Sequence, residues 1–359
     1  MEATDRAAYT RPLGALRRSD AAAYGGKSAN LGDMLAAGVP VPSGFAVGAD
    51  ATAPARPVSA TNARYASASL RAASGDVAVI EAAAQAIEQA MRFAPLPEGV
   101  RAEVAERYAD LETLVGEREP AVAVRSSALG EDSAEASHAG QQESFLWVRG
   151  VEPVCAAVRD CWVSLHTPRA LSYRAALGAE EVDPAMGVTV QLMVDARVSG
   201  VLFTCNPVSG DPSMLAINAS WGLGLAVVGG EVTPDDYLVS KVTGEVVRST
   251  VSRKDVEYVP DPQGRGTVRR DVPPARREEA CLGDDALAAL VGMAKVVERH
   301  FGGHQDVEWA IARDGTPPES LVVLQARPVT SPTRLAAPPS GSVMSLVLGT
   351  FGAPVEAGD

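Results

Sequence analysis

Residues 306–329, DVEWAIARDGTPPESLVVLQARPV, constrain the fold most, because two strand-like halves flank a turn-forming centre. In the first half, Val307 and Trp309 point to one side of a strand, and Asp306 and Glu308 point to the other. The centre, RDGTPPES, is rich in residues that favour turns. We therefore predict a β-hairpin, and hence a sheet, in this part of the chain.

Helical and strand-like segments divide the rest of the chain. Residues 76–117, 152–178 and 283–301 have helical composition or periodicity. Residues 121–128 alternate like a strand, and the block from 187 to 220 is rich in strand-forming runs. The chain has 359 residues, which is long for one hydrophobic core and sufficient for two or three subdomains.

The chain is acidic, with 32 Lys and Arg residues against 45 Asp and Glu residues, a formal net charge of −13. We therefore expect no nucleic-acid partner, because phosphate contacts along a duplex need net basic surface. The charge does not exclude ATP, since a pocket needs only a few local cations. No apolar run is long enough to cross a bilayer, and the N-terminus lacks the apolar core of a secretory signal. We expect a cytoplasmic protein without a membrane partner.

The four cysteines, at positions 155, 161, 205 and 281, form no CxxC pair, and no histidines lie at zinc-finger spacing. We expect them to be buried or free thiols in a reducing compartment.

The stretch GGKSANLGDML, residues 25–35, resembles the end of a phosphate-binding loop that enters a helix. Gly26, Lys27 and Ser28 fit the end of the pattern GxxxxGK[ST], but Ala21 stands where the first glycine belongs, so this is not a P-loop. The lysine still lies near a helix start, where the backbone N–H groups and the positive end of the helix dipole favour anions. The alternative is a surface lysine at a helix N-terminus.

A second candidate for phosphate binding is AVRSSALGEDSAEASHAGQQESF, residues 123–145. Arg125 ends a predicted strand, and a loop rich in Ser and Gly follows it. Such a loop can bring backbone donors close to phosphate oxygens, and an arginine can hold two oxygens at once. The alternative is a solvated polar loop with a structural arginine.

The hairpin supplies a third candidate, a metal site. Glu308 lies on the first strand, and Gln325 and Arg327 share one face of the second. A carboxylate and an amide oxygen that face each other can ligate Mg²⁺, which prefers hard oxygen ligands, and Arg327 can neutralise phosphate charge. The alternative is an amphipathic hairpin with a polar cross-strand pair.

Taken together, these motifs resemble the N-terminal nucleotide-binding region of the phosphoenolpyruvate synthase and pyruvate phosphate dikinase family. The matching segments include GGKSANLGDMLAAGVPVPSGFAV, VQLMVDARVSGVLFTCNP, ASWGLGLAVVGGEVTPDDY and LVVLQARPVT, and they follow the family's order from Tyr24 to Thr330. The resemblance implies an α+β ATP-grasp fold, in which two α+β subdomains clasp ATP. Residues 1–190 would form the N-terminal part with the phosphate loops, 191–330 the C-terminal subdomain with the hairpin, and 331–359 a linker or flexible tail.

The resemblance also implies roles for residues of the N-terminal part. Lys27 and Arg125 would contact the phosphates and stabilise charge on the transferring group. Gly140 and Ser144 would belong to the loop that closes over the phosphates. Gln191 would lie at the adenine end of the nucleotide.

In the C-terminal part, the resemblance makes Glu308 and Gln325 the ligands of Mg²⁺. Arg327 would act on the phosphates with Lys27 and Arg125. Glu231, in the segment GGEVTPD, matches a family position near the nucleotide.

Complete enzymes of the family continue into a domain that carries a phosphorylated histidine, and none of His138, His166, His300 and His304 lies in that setting. Split systems of the family, such as phenylphosphate synthase and enzymes that phosphorylate 4-methylphenol, place the histidine on a separate chain. The resemblance therefore implies the ATP-binding subunit of a split dikinase. It would cleave ATP to AMP and phosphate and pass the β-phosphoryl group to a partner's histidine, for a phenol-like acceptor, pyruvate or another small molecule.

Two other functions remain open at this stage. The chain could be a non-catalytic ATP-binding regulatory module, although a sensor needs no metal ligands aimed at phosphates. It could also be a self-contained kinase that acts directly on a small molecule.

Overall fold

The computed structural model describes residues 8–52, 76–129, 143–176, 185–264 and 266–329. The chain divides into two compact units. The first runs up to Gly32 and from Ser43 to Met193, and the second contains Asp33–Pro42 and continues from Val194. Both units combine a sheet with helices, so the predicted α+β class is confirmed. The predicted tail, residues 331–359, lies outside the described residues.

The first unit is built on a five-stranded antiparallel sheet. Its strands are β1 (Thr10–Pro12), β2 (Gly44–Val47), β3 (Val122–Ala128), β4 (Ser144–Val148) and β5 (Met186–Leu192). They lie side by side in the order β1-β2-β5-β3-β4. The helices are α1 (Ala21–Tyr24), the first part of α2 (Gly26–Ala36), α3 (Val77–Phe93), α4 (Glu98–Val115), α5 (Val151–Val163) and α6 (Pro168–Ala176). The strand predicted for residues 121–128 and the helical character predicted for 76–117 are confirmed. Of the helical stretch predicted for 152–178, the described part up to Ala176 forms α5 and α6 with a break between them.

The core of the first unit lies on one face of this sheet. Alternation along β3 and β5 places Val122, Val124, Val188 and Val190 on that face, where they are fully buried. They pack with apolar side chains of α3, α4 and α5. The opposite face of the same strands is therefore left for polar residues.

The second unit is built on a six-stranded antiparallel sheet. Its strands are β6 (Ala196–Phe203), β7 (Met214–Trp221), β8 (Asp235–Ser240), β9 (Val246–Thr250), β12 (Gln305–Ala312) and β13 (Leu321–Pro328). Their order is β13-β12-β6-β7-β8-β9. Two further strands, β10 (Val256–Pro260) and β11 (Thr267–Asp271), pair with each other. The helices are α7 (Leu225–Val228) and α8 (Asp284–Phe301).

The predicted hairpin is confirmed as β12 and β13, joined by residues 313–320. Val307, Trp309 and Ile311 are fully buried on one side of β12, and α8 packs against both strands. The helix α8 begins with Asp284 and Asp285, whose charges suit a helix N-terminus, and it ends before Gly302 in the left-handed conformation. The helix predicted for residues 283–301 is thereby confirmed.

The segment Asp33–Pro42 belongs to the second unit, whereas the sequence-based division treats residues 1–190 as continuous. The backbone N–H of Val323 on β13 donates to the carbonyl oxygen of Pro40 at 2.8 Å. His300 on α8 contacts Asp33 at 2.9 Å between Nε2 and Oδ2. The helix α2 continues from Gly26 through Gly32 to Ala36, so its sequence alone gives no sign of this regrouping.

All four cysteines are buried and form no disulfide, as predicted. Burial raises the pKa of the Cys155 thiol to about 11, so this thiol stays protonated at neutral pH. None of the described helices combines the length and the hydropathy that a membrane span requires.

Candidate functional site

The polar face of the first sheet brings three predicted site residues together. Arg125 on β3 is paired directly with Ser144 on β4 and with Thr189 on β5. Directly opposite residues of an antiparallel sheet point to the same side, so these three side chains share one face. Gln191 lies on that face too, two residues beyond Thr189. Of the predicted loop, Gly140 lies outside the described residues, as does His138.

Lys27 lies in the first turn of α2 and is buried, with 4% of its surface exposed. Its Nζ donates to the carbonyl oxygen of Ser126 at 2.8 Å, which turns the ammonium toward β3. An ammonium is a cation with three donors, a group that suits phosphate oxygens. The alternative of a surface lysine is wrong, because α2 lies on the polar face of the sheet with its N-terminus inward.

The close approach of α2 to the sheet depends on Gly25. This residue has φ +80, and a Cβ atom placed on it would lie 2.1 Å from the carbonyl oxygen of Ser127. Gly187 on β5 is similarly tight, because its Cβ would lie 2.2 Å from the carbonyl oxygen of Tyr24. Both glycines therefore allow backbone to lie directly on backbone beside Lys27.

Gly25→Ala is expected to destabilise the protein by about 2–4 kcal/mol, since it adds a backbone clash to an unfavourable φ. Gly38 is the matched control, because it has φ +77 but a Cβ atom placed on it would meet no other atom within 4 Å. Gly38→Ala should cost only about 1–2 kcal/mol, the penalty of the left-handed conformation. Urea unfolding of both variants checks the difference, and equal losses would contradict a steric role for Gly25.

The hairpin places the predicted metal ligands side by side. Glu308 on β12 is directly opposite Gln325 on β13, and Asp306 is directly opposite Arg327. All four side chains share the face opposite Val307. The pairing slips by one residue just after Glu308, so the regular register ends at this position. The carboxylate, amide and guanidinium groups thus form one compact cluster on the sheet.

Asp306 belongs to this cluster, although the sequence-based assignment of metal and phosphate residues left it out. Its Oδ2 accepts from the Arg327 Nε at 2.9 Å, and the residue is only 4% exposed. Within the described ranges, no donor reaches its Oδ1. Burial raises the pKa of Asp306 to about 6, against the opposing effect of Arg327. The alternation along β12, which places it beside Glu308, was the signal that could have identified it.

The oxygen donors of the hairpin suit a magnesium ion that arrives with a phosphate ligand. Glu308 offers a carboxylate and Gln325 an amide oxygen, and both are hard donors. In the part of the chain that the structure describes, no three His, Cys, Asp or Glu side chains form a metal cluster. Mg²⁺ on substrate phosphates needs only one or two protein carboxylates, so a pair of ligands is compatible with it.

Glu231 lies elsewhere in the second unit, after α7. Its carboxylate accepts from the Tyr258 hydroxyl at 2.6 Å and from the Arg269 Nε at 3.0 Å. The hydrogen bond from Tyr258 lowers the pKa of Glu231 below its ordinary value, and Arg269 adds to the effect. These contacts tie Glu231 to β10 and β11. Its role near a nucleotide stays a prediction.

The family model described as "Pyruvate phosphate dikinase, AMP/ATP-binding domain" matches residues 21–340 of this chain. The match includes both the polar face of the first sheet and the hairpin of the second.

Curated relatives are similar over the same region. The phosphoenolpyruvate synthase of Aeropyrum pernix is 40% identical over 332 residues, which cover 85% of this chain and 40% of the relative. The probable phosphoenolpyruvate synthase of Methanocaldococcus jannaschii is 38% identical over 319 residues, which cover 89% of this chain and 26% of that relative. A rifampicin phosphotransferase of Streptomyces is 39% identical over 313 residues, which cover 86% of this chain and 34% of that relative. The chain thus spans less than half the length of these relatives.

Proposed function

Because this chain belongs to the family of pyruvate phosphate dikinase AMP/ATP-binding domains, we propose that it binds ATP with Mg²⁺ and begins an ATP-dependent phosphoryl transfer. The observation that carries the proposal is the register of β12 and β13, which sets Glu308 against Gln325 and Asp306 against Arg327. This arrangement offers metal ligands and a phosphate-binding cation in one cluster. A module that only senses ATP would not need such ligands.

In this proposal the hairpin holds the metal and orients the phosphates. Glu308 and Gln325 would ligate Mg²⁺, which supplies charge neutralisation on the β- and γ-phosphates when bound. The ion pair with Asp306 holds the Arg327 guanidinium in place, so the cation is positioned before the nucleotide arrives.

The first unit supplies two further cations in the proposal. Lys27, whose ammonium is turned toward β3 by its bond to Ser126, would contact a phosphate oxygen. Arg125, on the same sheet face as Ser144, would bind two phosphate oxygens through its planar fork. Gln191, which is 2% exposed, would contribute at the adenine end.

We assign the phosphoryl acceptor to a histidine on a partner chain. ATP and water would give AMP and phosphate and leave the β-phosphoryl group on that histidine. His166 is 1% exposed, and His300 and His304 contact Asp33 and Glu298 at 2.9 and 2.6 Å. Burial of His166 and the carboxylate contacts of His300 and His304 do not favour any of these three described histidines as the acceptor. The partner would then phosphorylate a small acceptor, whether phenol-like, pyruvate or another.

The test uses ATP labelled separately at the β and γ positions, incubated with the chain and Mg²⁺. We expect the chain alone to bind ATP without forming a stable phosphoprotein. With a protein that carries a phosphohistidine domain, β-label should appear on that protein in an acid-labile form, and AMP should accumulate. ADP as the stable product, or label on a small acceptor without any partner, would contradict the proposal and favour a direct kinase. Binding without any turnover under every condition would favour a regulatory module.

A further inference from the structure

A buried pair of hydroxyl groups joins α2 to the first sheet. The Ser28 Oγ lies 2.7 Å from the Thr189 Oγ1, and both residues are fully buried. The backbone N–H of Ser28 also donates to the Ser127 Oγ at 3.2 Å. The first turn of α2 is thereby fastened to both β3 and β5.

This contact connects the two cations of the first unit. Lys27 immediately precedes Ser28 in the chain, and its ammonium points to β3 through Ser126. Thr189, at the other end of the contact, is directly opposite Arg125 across the β3–β5 pair. The buried hydrogen bond between Ser28 and Thr189 thus connects the helical turn that carries Lys27 with the residue directly opposite Arg125.

We propose that Thr189 is a positioning residue for phosphate binding, which holds Lys27 at a fixed place relative to Arg125 through its contact with Ser28. The inference rests on the proposed function, since it concerns how these cations meet a nucleotide. Two cations bind one phosphate group well only when their separation is fixed in advance, because otherwise binding must also order them. The hydroxyl pair fixes it without touching the nucleotide.

The proposal predicts that Thr189 affects the affinity for the phosphate groups and not the affinity for the nucleoside. Thr189→Val keeps the shape but removes the hydroxyl, so the turn that carries Lys27 loses its anchor on β5. We expect this variant to bind the ATP analogue AMP-PNP about tenfold more weakly, which is about the effect of one hydrogen bond. Its affinity for adenosine should stay unchanged, and Thr189→Ser should restore the AMP-PNP affinity.

Calorimetry of AMP-PNP and competition with adenosine measure the two affinities, and their ratio is the readout. Thr52→Val is the matched control, because Thr52 is also fully buried in the first unit and its hydroxyl contacts Met186 instead. It should leave the ratio unchanged. In a Lys27→Met background, Thr189→Val should lower AMP-PNP affinity less than twofold further, because the residue it positions is gone.

The outcomes separate the inference from the function on which it rests. If the wild-type chain does not bind AMP-PNP, the proposed function is wrong and the inference falls with it. If the wild-type chain binds and Thr189→Val keeps the wild-type ratio, the inference alone is wrong. If Thr189→Val lowers AMP-PNP affinity as much in the Lys27→Met background as in the wild type, the inference is also wrong. Should Thr189→Val fail to fold, Ser28→Ala removes the same bond from the other side, and an unchanged ratio there would equally overturn it.

Discussion

Glu308→Gln is expected to lower phosphoryl transfer from ATP by about 10³-fold, which corresponds to about 4 kcal/mol of lost transition-state stabilisation. The substitution keeps the size of the side chain and replaces a charged metal ligand with a neutral one. Glu308 is directly opposite Gln325, so the variant would leave two amides where Mg²⁺ needs a carboxylate. Release of AMP in the presence of the phosphohistidine partner measures the loss.

Glu319→Gln is the matched control on the same hairpin, because Glu319 is exposed in the loop between the two strands. It should turn over ATP at the wild-type rate. Circular dichroism and the unfolding midpoint should be close to wild type for both variants. Wild-type turnover in a folded Glu308→Gln variant would exclude Glu308 as a metal ligand.

Lys254→Met is expected to destabilise the protein by about 3–5 kcal/mol, because it leaves a buried carboxylate without its counter-charge. Lys254 and Asp235 are both fully buried, and the ammonium donates to the Asp235 Oδ1. Asp235 also accepts from the backbone N–H groups of Ser252 and Cys281 at 2.9 and 2.8 Å. The pair therefore joins β8 to two loops of the second unit. Urea unfolding at neutral pH measures the loss.

An exposed ion pair gives the comparison. Arg101 and Glu152 are 42% and 68% exposed, so Arg101→Met should leave the urea midpoint close to that of the wild type. A similarly small loss for Lys254→Met would mean that Asp235 keeps its stability through its other hydrogen bonds, and would contradict the importance of the pair.

Local patterns were enough to predict much of the secondary structure and which side chains of the hairpin share a face. Alternation in residues 306–329 predicted both the hairpin and the shared face of Gln325 and Arg327, because the side-chain period of a strand is fixed by its backbone. The same period on β3 predicted that Val122 and Val124 point away from Arg125. The resemblance to a family added the roles of the residues, which alternation cannot give.

Contacts between distant segments could not be predicted in this way. The burial of Lys27 depends on Gly25 and Gly187, which are far apart in sequence and meet only when α2 lies on β5. The contacts of Glu231 with Tyr258 and Arg269 depend on how β10 and β11 fold back toward α7. Asp306 was visible on the correct face, but only its burial and its bond to Arg327 distinguish it from a solvated carboxylate.

The burial of Lys27 and Lys254 has a practical consequence for chemical labelling. The chain contains only four lysines, at positions 27, 241, 254 and 295. Lys27 and Lys254 are buried. The Lys241 side chain is 12% exposed, and its ammonium is paired with Glu298. Lys295, on the outer surface of α8, is the one exposed lysine. An amine-reactive dye or surface coupling should therefore modify Lys295 ahead of the other lysines, which gives a single defined lysine attachment point on the second unit.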